Sequence, residues 1–338
     1  MSTNQSPRRW ASGVSASRAV RTFGFVAASV LLLTGFTVHS GSPRAGSPRR
    51  VVTPAQAKAA VTAWNQLADT AASNLDANML DQVEAPPLLG IDVPGFQDAK
   101  ARGASPPPVV GVADVTVYVP KQTAYPAQFL ARLDGADGAT NYFVFVKGSK
   151  QAPWKAAYRA SLVANAPAPD LALDRRGYAT FIPERRAKNQ LEFDPATLGQ
   201  AYSDFLNQTA QSGAPAASAV FSPDVAQPLV GSLSPVRAGQ RVITYAPAND
   251  PAYSYRTRDG GAFSLVVATV DIRTTADAGA VIAPPQQLFD LHPGQRYQST
   301  EMNGVDLVGL SVPPARAPAL VTSPADYNAV TSATGVPA

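Results

Sequence analysis

Asn141–Val146 reads NYFVFV. Six residues of aromatic and β-branched type, preceded by Asp137-Gly138, make a strand signal. Phe143 and Phe145 fall on one face; Tyr142, Val144 and Val146 fall on the other. Outward from this run the signal repeats. Val112–Val119 sets Ala113, Val115, Val117 and Val119 against Asp114, Thr116 and Tyr118. Gln128–Leu133 is entered through Tyr125-Pro126 and left through Asp134-Gly135, a turn pair. Trp154–Leu162 sets Trp154, Ala156, Tyr158, Ala160 and Leu162 against Lys155, Arg159 and Ser161. A helix precedes these strands. Thr53 is a good N-cap and Pro54 suits the first helical position. Ala57, Ala60 or Val61, Trp64, Leu67 or Ala68, Ala71 and Leu75 then follow at helical spacing. One helix followed by a meander describes an α+β sheet with its helix packed on one face.

The same order recurs downstream. Asp194-Pro195 repeats the cap-plus-proline start, and Leu198, Tyr202, Phe205 and Leu206 continue an amphipathic helix. Strands are expected at Arg241–Ala246, Tyr253–Arg258 and Ala262–Arg273, the last two joined across Asp259-Gly260-Gly261. Arg296–Met302 and Val305–Val312 are read as a hairpin around Asn303-Gly304. Residues 85–108 carry Pro86, Pro87, Pro94 and Pro106-Pro107-Pro108, and read as a long irregular connection. The expected organisation is therefore two α+β domains, each an N-terminal helix (54–72 and 195–211) on its own antiparallel meander. The first spans 53–165 and the second 193–325. Residues 166–192 connect them, and 326–338 form a C-terminal tail.

The first fifty residues carry seven arginines and no acidic residue, and Phe23–Val38 is an uninterrupted apolar or small run. A basic head before an apolar run is an export signal or a single membrane anchor. Residues 1–22 are read as a basic cytoplasmic head, 23–40 as the transmembrane anchor or signal segment, and 41–52 (GSPRAGSPRRVV) as a linker. The run gives about 24 Å of helix, against a bilayer core of about 30 Å. An uncleaved single-pass anchor, with the body outside the membrane, is read ahead of secretion after cleavage near Ser40. The whole chain has 28 basic and 24 acidic residues. Without the seven head arginines it has 21 and 24, a net charge of −3, which argues against a nucleic-acid partner. The chain has no cysteine, so disulfides, thiolate metal sites, a cysteine nucleophile and cysteine-linked lipid are excluded.

The layout resembles tandem cystatin-like or nuclear-transport-factor-2-like domains, in which a curved sheet wraps a long helix. The chain also resembles a family of uncharacterised actinobacterial cell-envelope proteins. The residues carrying that resemblance are AKAAVTAWNQLAD (Ala57–Asp69), AYPAQF (Ala124–Phe129), PWKAAY (Pro153–Tyr158) and YRTRDGGAFSL (Tyr255–Leu265), within residues 53–325. It implies a domain of unknown function and brings no activity with it.

No residue pattern defines a catalytic, cofactor or metal site. His292, the one histidine after residue 52, stands in a Pro-Gly turn and reads as surface rather than as base or zinc ligand. Asp134 and Asp137 with their glycines read as a turn rather than a calcium loop, and Asp259-Gly260-Gly261 likewise. Arg175, Arg176, Arg185, Arg186 and Lys188 read as a solvated inter-domain cluster, the other reading being a site for anionic headgroups or wall polymers. Trp64, Phe129, Phe143, Phe145, Trp154 and Tyr158 read as core or as the wall of a pocket. The expectation is a membrane-tethered, extracytoplasmic, non-catalytic binding or assembly protein without cofactor. Its partners would be the cytoplasmic membrane through residues 23–40 and an envelope protein or a small apolar ligand. One alternative is a hydrolase or isomerase using buried carboxylates, with Asp69 and Asp114 as nearest candidates. Another is a passive spacer of the envelope.

Overall fold

The structure, a computed structural model, describes residues 50–105, 112–183, 191, 193–233, 238–284, 287–315, 317 and 319–338. The expected head, the 23–40 anchor and the cleavage position near Ser40 lie outside the described residues, as do Arg185, Arg186 and Lys188. Among the described residues no helix is long and apolar enough to cross a membrane.

α1 runs Pro54–Asn74. Thr53 accepts from the Gln56 N–H while the Gln56 side chain accepts from the Thr53 N–H, a reciprocal cap that satisfies two helix-end donors. α2 (Ala77–Val83) starts on Asp76, and α3 (Leu88–Ala101) follows directly. The proline count of 85–108 therefore misleads. Pro87 stands at the N-terminal boundary of α3, where a missing N–H costs nothing. Pro94 lies inside the helix, whose buried Leu88, Ile91 and Phe96 hold it in place.

β1 (Val112–Pro120), β2 (Ala127–Gly135), β3 (Thr140–Lys147) and β4 (Lys155–Leu162) form the expected antiparallel meander. β5 (Tyr178–Ala179) and β6 (Phe181–Ile182) follow. α4 spans Pro195–Ser212, capped by Asp194 as expected and ended by Gly213 at φ 70°. After a short turn at Pro223–Ala226, α5 covers Gln227–Ser232. β7 (Gly239–Pro247), β8 (Tyr253–Arg256), β9 (Ala262–Ala276), β10 (Tyr297–Val312) and β11 (Thr322–Pro337) complete the chain.

The expectation that each half would carry its own sheet is corrected. The strands join one sheet in the order β5-β1-β2-β3-β4-β11-β10-β9-β8-β6, with β7 paired on β9. Ser47–Ala338 is one compact unit. The segment read as an inter-domain connection holds both ends of this order. β5 pairs in parallel with β1, and β6 pairs with β8, with only Thr180 between β5 and β6. One residue spans only a few ångströms, so the sheet curls until its edges meet, a nearly closed barrel. The 326–338 segment is likewise no tail: it is most of β11, between β4 and β10.

Asn303-Gly304 is not a turn. β10 runs straight through it with a register shift at that point. A Cβ at Gly304 would lie 2.8 Å from the Ala329 carbonyl oxygen and 2.9 Å from Val270. The glycine thus serves close approach of three strands rather than chain reversal. By contrast Gly260 does take φ 89° in the expected β8–β9 turn, where Asp259 accepts from the Gly261 N–H.

Both faces of the sheet are buried. Inside the barrel Tyr142 packs on Phe263 at 5.0 Å, and the Tyr255 hydroxyl donates to Gln128; these pairs link strands that are not sheet neighbours. Outside, α1 lays Trp64 on Phe143 and Phe145 at 4.9 and 5.2 Å. α4 lays Leu198, Tyr202, Phe205 and Leu206 in one cluster with Val266, Val308 and Leu310.

A chain ending after Val321 is expected to lose its cooperative urea transition, because β4 and β10 both lose the strand between them. Circular dichroism and intrinsic fluorescence test this. Retention of the full-length midpoint would restore the reading of these residues as a tail.

Candidate functional site

β4 and β11 pair only at Leu162–Ala325 and Ser161–Asp326. Beyond that point the partner of β4 changes: Glu84 bridges to Ala156, and the Ala85 N–H donates to the Ala156 carbonyl at 2.9 Å. The chain between α2 and α3 thus comes alongside β4, and α3 packs on both β4 and β11. A cavity of about 370 Å³ lies here, lined by residues of α1, α2, α3, β3, β4 and β11. Its walls include Trp64, Leu80, Leu88, Ile91, Phe96 and Phe143.

Four polar side chains meet at this cavity. Glu84, just after α2, is 3% exposed. It lies within hydrogen-bonding reach of Asp92 on α3. The Tyr327 hydroxyl of β11 donates to Asp92 at 3.1 Å. Arg159 of β4, paired across the strands with Phe143, lies 4.8 Å from the Tyr327 ring centre and 5.9 Å from that of Phe143. Burial, then the Asp92 charge and the hydrogen bond between them, push Glu84 up to about 9; Arg159 opposes this. Burial raises Asp92 too, against the pull of Arg159 and of the hydrogen bonds from Glu84 and Tyr327. At neutral pH Glu84 therefore holds a proton, within reach of Asp92. The proton on Glu84 removes one of the two buried carboxylate charges, and Arg159 favours the charged form of the other, which eases their burial.

Three buried polar atoms on the residues lining this cavity lack a protein partner: Trp64 Nε1, Arg159 Nε and Glu84 Oε2. Buried polar groups are ordinarily paired, so three such atoms around one cavity mark it. The rim carries the pairs Asn65–Asp69 at 3.1 Å and Arg102–Asp98 at 2.8 Å. Among the described residues no group of three or more histidine or acidic side chains could hold a metal ion.

The residues singled out from sequence divide sharply. Trp64, Phe143 and Asp69 line the cavity. Phe129, Phe145 and Trp154 stack beside one another at 4.8 to 5.0 Å and fall outside its lining. Tyr158 faces the other side of β4, where its hydroxyl donates to the Pro251 carbonyl. Asp114 is an exposed partner of Lys58 at 3.6 Å. His292 is exposed in its turn. Asp134 accepts from Arg132 and Thr140, and Asp137 from its own turn. Arg175 and Arg176 are exposed in the turn that leads into β5.

Sequence reasoning missed Glu84, Asp92, Arg159 and Tyr327. Two of them flank or lie in the proline-rich segment read as irregular, and Tyr327 lies in the supposed tail. Arg159 had a usable signal. Antiparallel pairing of NYFVFV with the following strand sets it opposite Phe143, a cation on an apolar face.

One curled, mostly antiparallel sheet with outer helices and a polar-centred cavity is an α+β class of domain. The chain belongs to the family described as domain of unknown function DUF8094, matched over residues 48–335. A Streptomyces coelicolor protein described as an uncharacterized lipoprotein is 29% identical over 260 residues, covering 70% of this chain and 72% of the relative. No solved structure matches.

Because Glu84 titrates at about 9 in the folded chain against 4.5 as an ordinary glutamate, the unfolded chain releases this proton first as pH rises. The folded state therefore loses stability between those values. Glu84→Gln is expected to match the parent near pH 5. At pH 8.5 it should melt at least about 2–4 °C higher, roughly 1 kcal/mol for a chain of this size. Parallel pH–midpoint curves for the two proteins would refute the assignment of the proton.

Proposed function

We propose that this is a membrane-tethered, extracytoplasmic binding protein whose ligand occupies the cavity between α1–α3, β4 and β11. The observation carrying the site is the set of three unpartnered polar atoms on its lining residues. A volume of about 370 Å³ is of ligand size. Trp64 and Arg159 offer N–H donors, and protonated Glu84 offers a carboxyl, beside the apolar side chains of Leu88, Ile91 and Phe96. That chemistry suits a small molecule with an apolar body and an oxygen-bearing head. The tether is supported by the lipoprotein description of the Streptomyces relative. This chain has no cysteine to carry a lipid, so the apolar run Phe23–Val38 between arginines takes the anchoring role.

A second reading, a hydrolase or isomerase, is favoured by the Glu84–Asp92 pair. Two buried carboxyls within hydrogen-bonding reach, one of them holding a proton at neutral pH, are groups able to exchange a proton with a substrate.

Full-length protein in detergent is expected to bind dodecanoate saturably in calorimetry. Trp64→Phe, which removes only an N–H donor and some ring area, should weaken it about fivefold to tenfold, the worth of one such hydrogen bond. Equal affinity in the variant, or no saturable binding of dodecanoate or dodecanol, would remove the site. For turnover, dodecanoate esters and amides incubated with the protein should be recovered unchanged by mass spectrometry. Cleavage that Glu84→Gln abolishes would establish the catalytic reading instead.

A further inference from the structure

A second cavity, of about 310 Å³, lies against the other part of the sheet. α4, α5, β7, β9, β10 and β11 all contribute to its lining. Its floor carries Asp306 of β10, which is 4% exposed. Asp306 Oδ2 accepts from the Tyr202 hydroxyl at 2.5 Å, while Oδ1 has no partner in the protein. Asp326 and Asp224 also line the cavity, and among the described residues no lysine, arginine or histidine does. The remaining wall mixes apolar side chains, Leu206, Leu229, Ile272 and Met302, with the neutral polar Ser232, Asn303, Ser323 and Asn328, and the Tyr245 ring stands beside it.

We propose that this cavity is a second binding site, for a primary or secondary alkylammonium ion. Its ammonium N–H donates to Asp306 Oδ1, and its alkyl chain lies along Leu206, Leu229, Ile272 and Met302. Three features select this class. The lining is wholly acidic in its charges, so an anion is repelled. Asp306 Oδ1 is a buried acceptor without a partner in the protein, which is costly; an N–H satisfies it, whereas a quaternary ammonium has no hydrogen to give. Among the described residues no group of three or more histidine or acidic side chains could hold a metal ion.

The electrostatics of Asp306 agree. Burial raises its carboxyl to about 7; the Tyr202 hydrogen bond pulls down and the Asp326 charge pushes up. The groups facing it are Tyr202 from α4, Tyr245 from β7 and Asp326 from β11, and both tyrosine hydroxyls are raised in turn by burial and by Asp306. All three are neutral or acidic, so the cavity itself supplies no competing cation. Pairing requires ionised Asp306, while the amine stays protonated well above neutrality. Affinity therefore rises as pH passes upward through about 7.

Calorimetry with octylammonium, octanol and octyltrimethylammonium on the full-length protein tests this. Octylammonium is expected to bind at least about tenfold more tightly than either analogue, and more tightly at pH 8 than at pH 6. Asp306→Asn keeps an oxygen acceptor for Tyr202 and removes the charge; it should lose about tenfold in affinity for octylammonium and lose the pH dependence. If that variant does not fold, Asp326→Asn, on the half-buried part of the lining, should still weaken octylammonium severalfold. Trp64→Phe, in the other cavity, should leave octylammonium unchanged, so this site and the proposed oxygen-head site stand or fall separately. Octanol binding as tightly as octylammonium, or unchanged affinity in Asp306→Asn and Asp326→Asn, would overturn the proposal.

Discussion

The parting of β4 from β11 is the constraint on which the rest of the structure depends. Two paired positions hold the halves of the sheet together. Beyond them the backbone of β4 needs another partner, since unpaired buried peptide groups are costly. The turn between α2 and α3 supplies it through Ala85 and Glu84. That substitution carries Glu84 inward, places α3 against β11, and leaves a cavity beneath α1. Had the strands stayed paired along their length, Asp92 and Tyr327 would not meet.

The two cavities handle buried charge in opposite ways. Around Glu84 the protein eases the charge itself: a proton neutralises Glu84, and Arg159 acts on both carboxyls. Around Asp306 nothing basic balances the carboxylates, and one oxygen lacks a donor. β11 serves both. Tyr327 points to the first group, its neighbours Asp326 and Asn328 line the second, and Ala329 and Val330 border both. A single strand thus forms a wall common to two sites of different chemistry.

Local signals were legible and long-range ones were not. Thr53-Pro54 and Asp194-Pro195 fixed the starts of α1 and α4, because caps act within one turn of chain. The β1–β4 meander was legible from alternation, and the 259–261 turn from its glycines. Asn303-Gly304 has the composition of a hairpin turn, yet its glycine answers to β9 and β11, which are remote in sequence. β11 itself, TSPADYNAVTSATGVP, is small and polar with little alternation; its strand state comes from pairing along β10, and strand preference is set largely by such context. The 85–108 prolines suggested loop, whereas burial of Leu88, Ile91 and Phe96 decides for helix. The site fell into these blind places. Glu84, Asp92 and Tyr327 are brought together by contacts across more than 200 residues of chain.

Because β11 follows every other strand in the sequence but occupies the middle of the sheet, the order in which the protein can fold is set. As the chain emerges from its N-terminus, β1–β4 can pair among themselves, and later β9 with β10. Each assembly then exposes a long open edge on the side where β11 belongs. Such edges attract foreign strands, and partly folded chains of this size are prone to aggregate through them. Completion waits for the last strand to arrive and pair on both sides, a closure of high contact order and correspondingly slow. Until β11 enters, the sheet is unfinished, and the edges it covers stay open to such pairing.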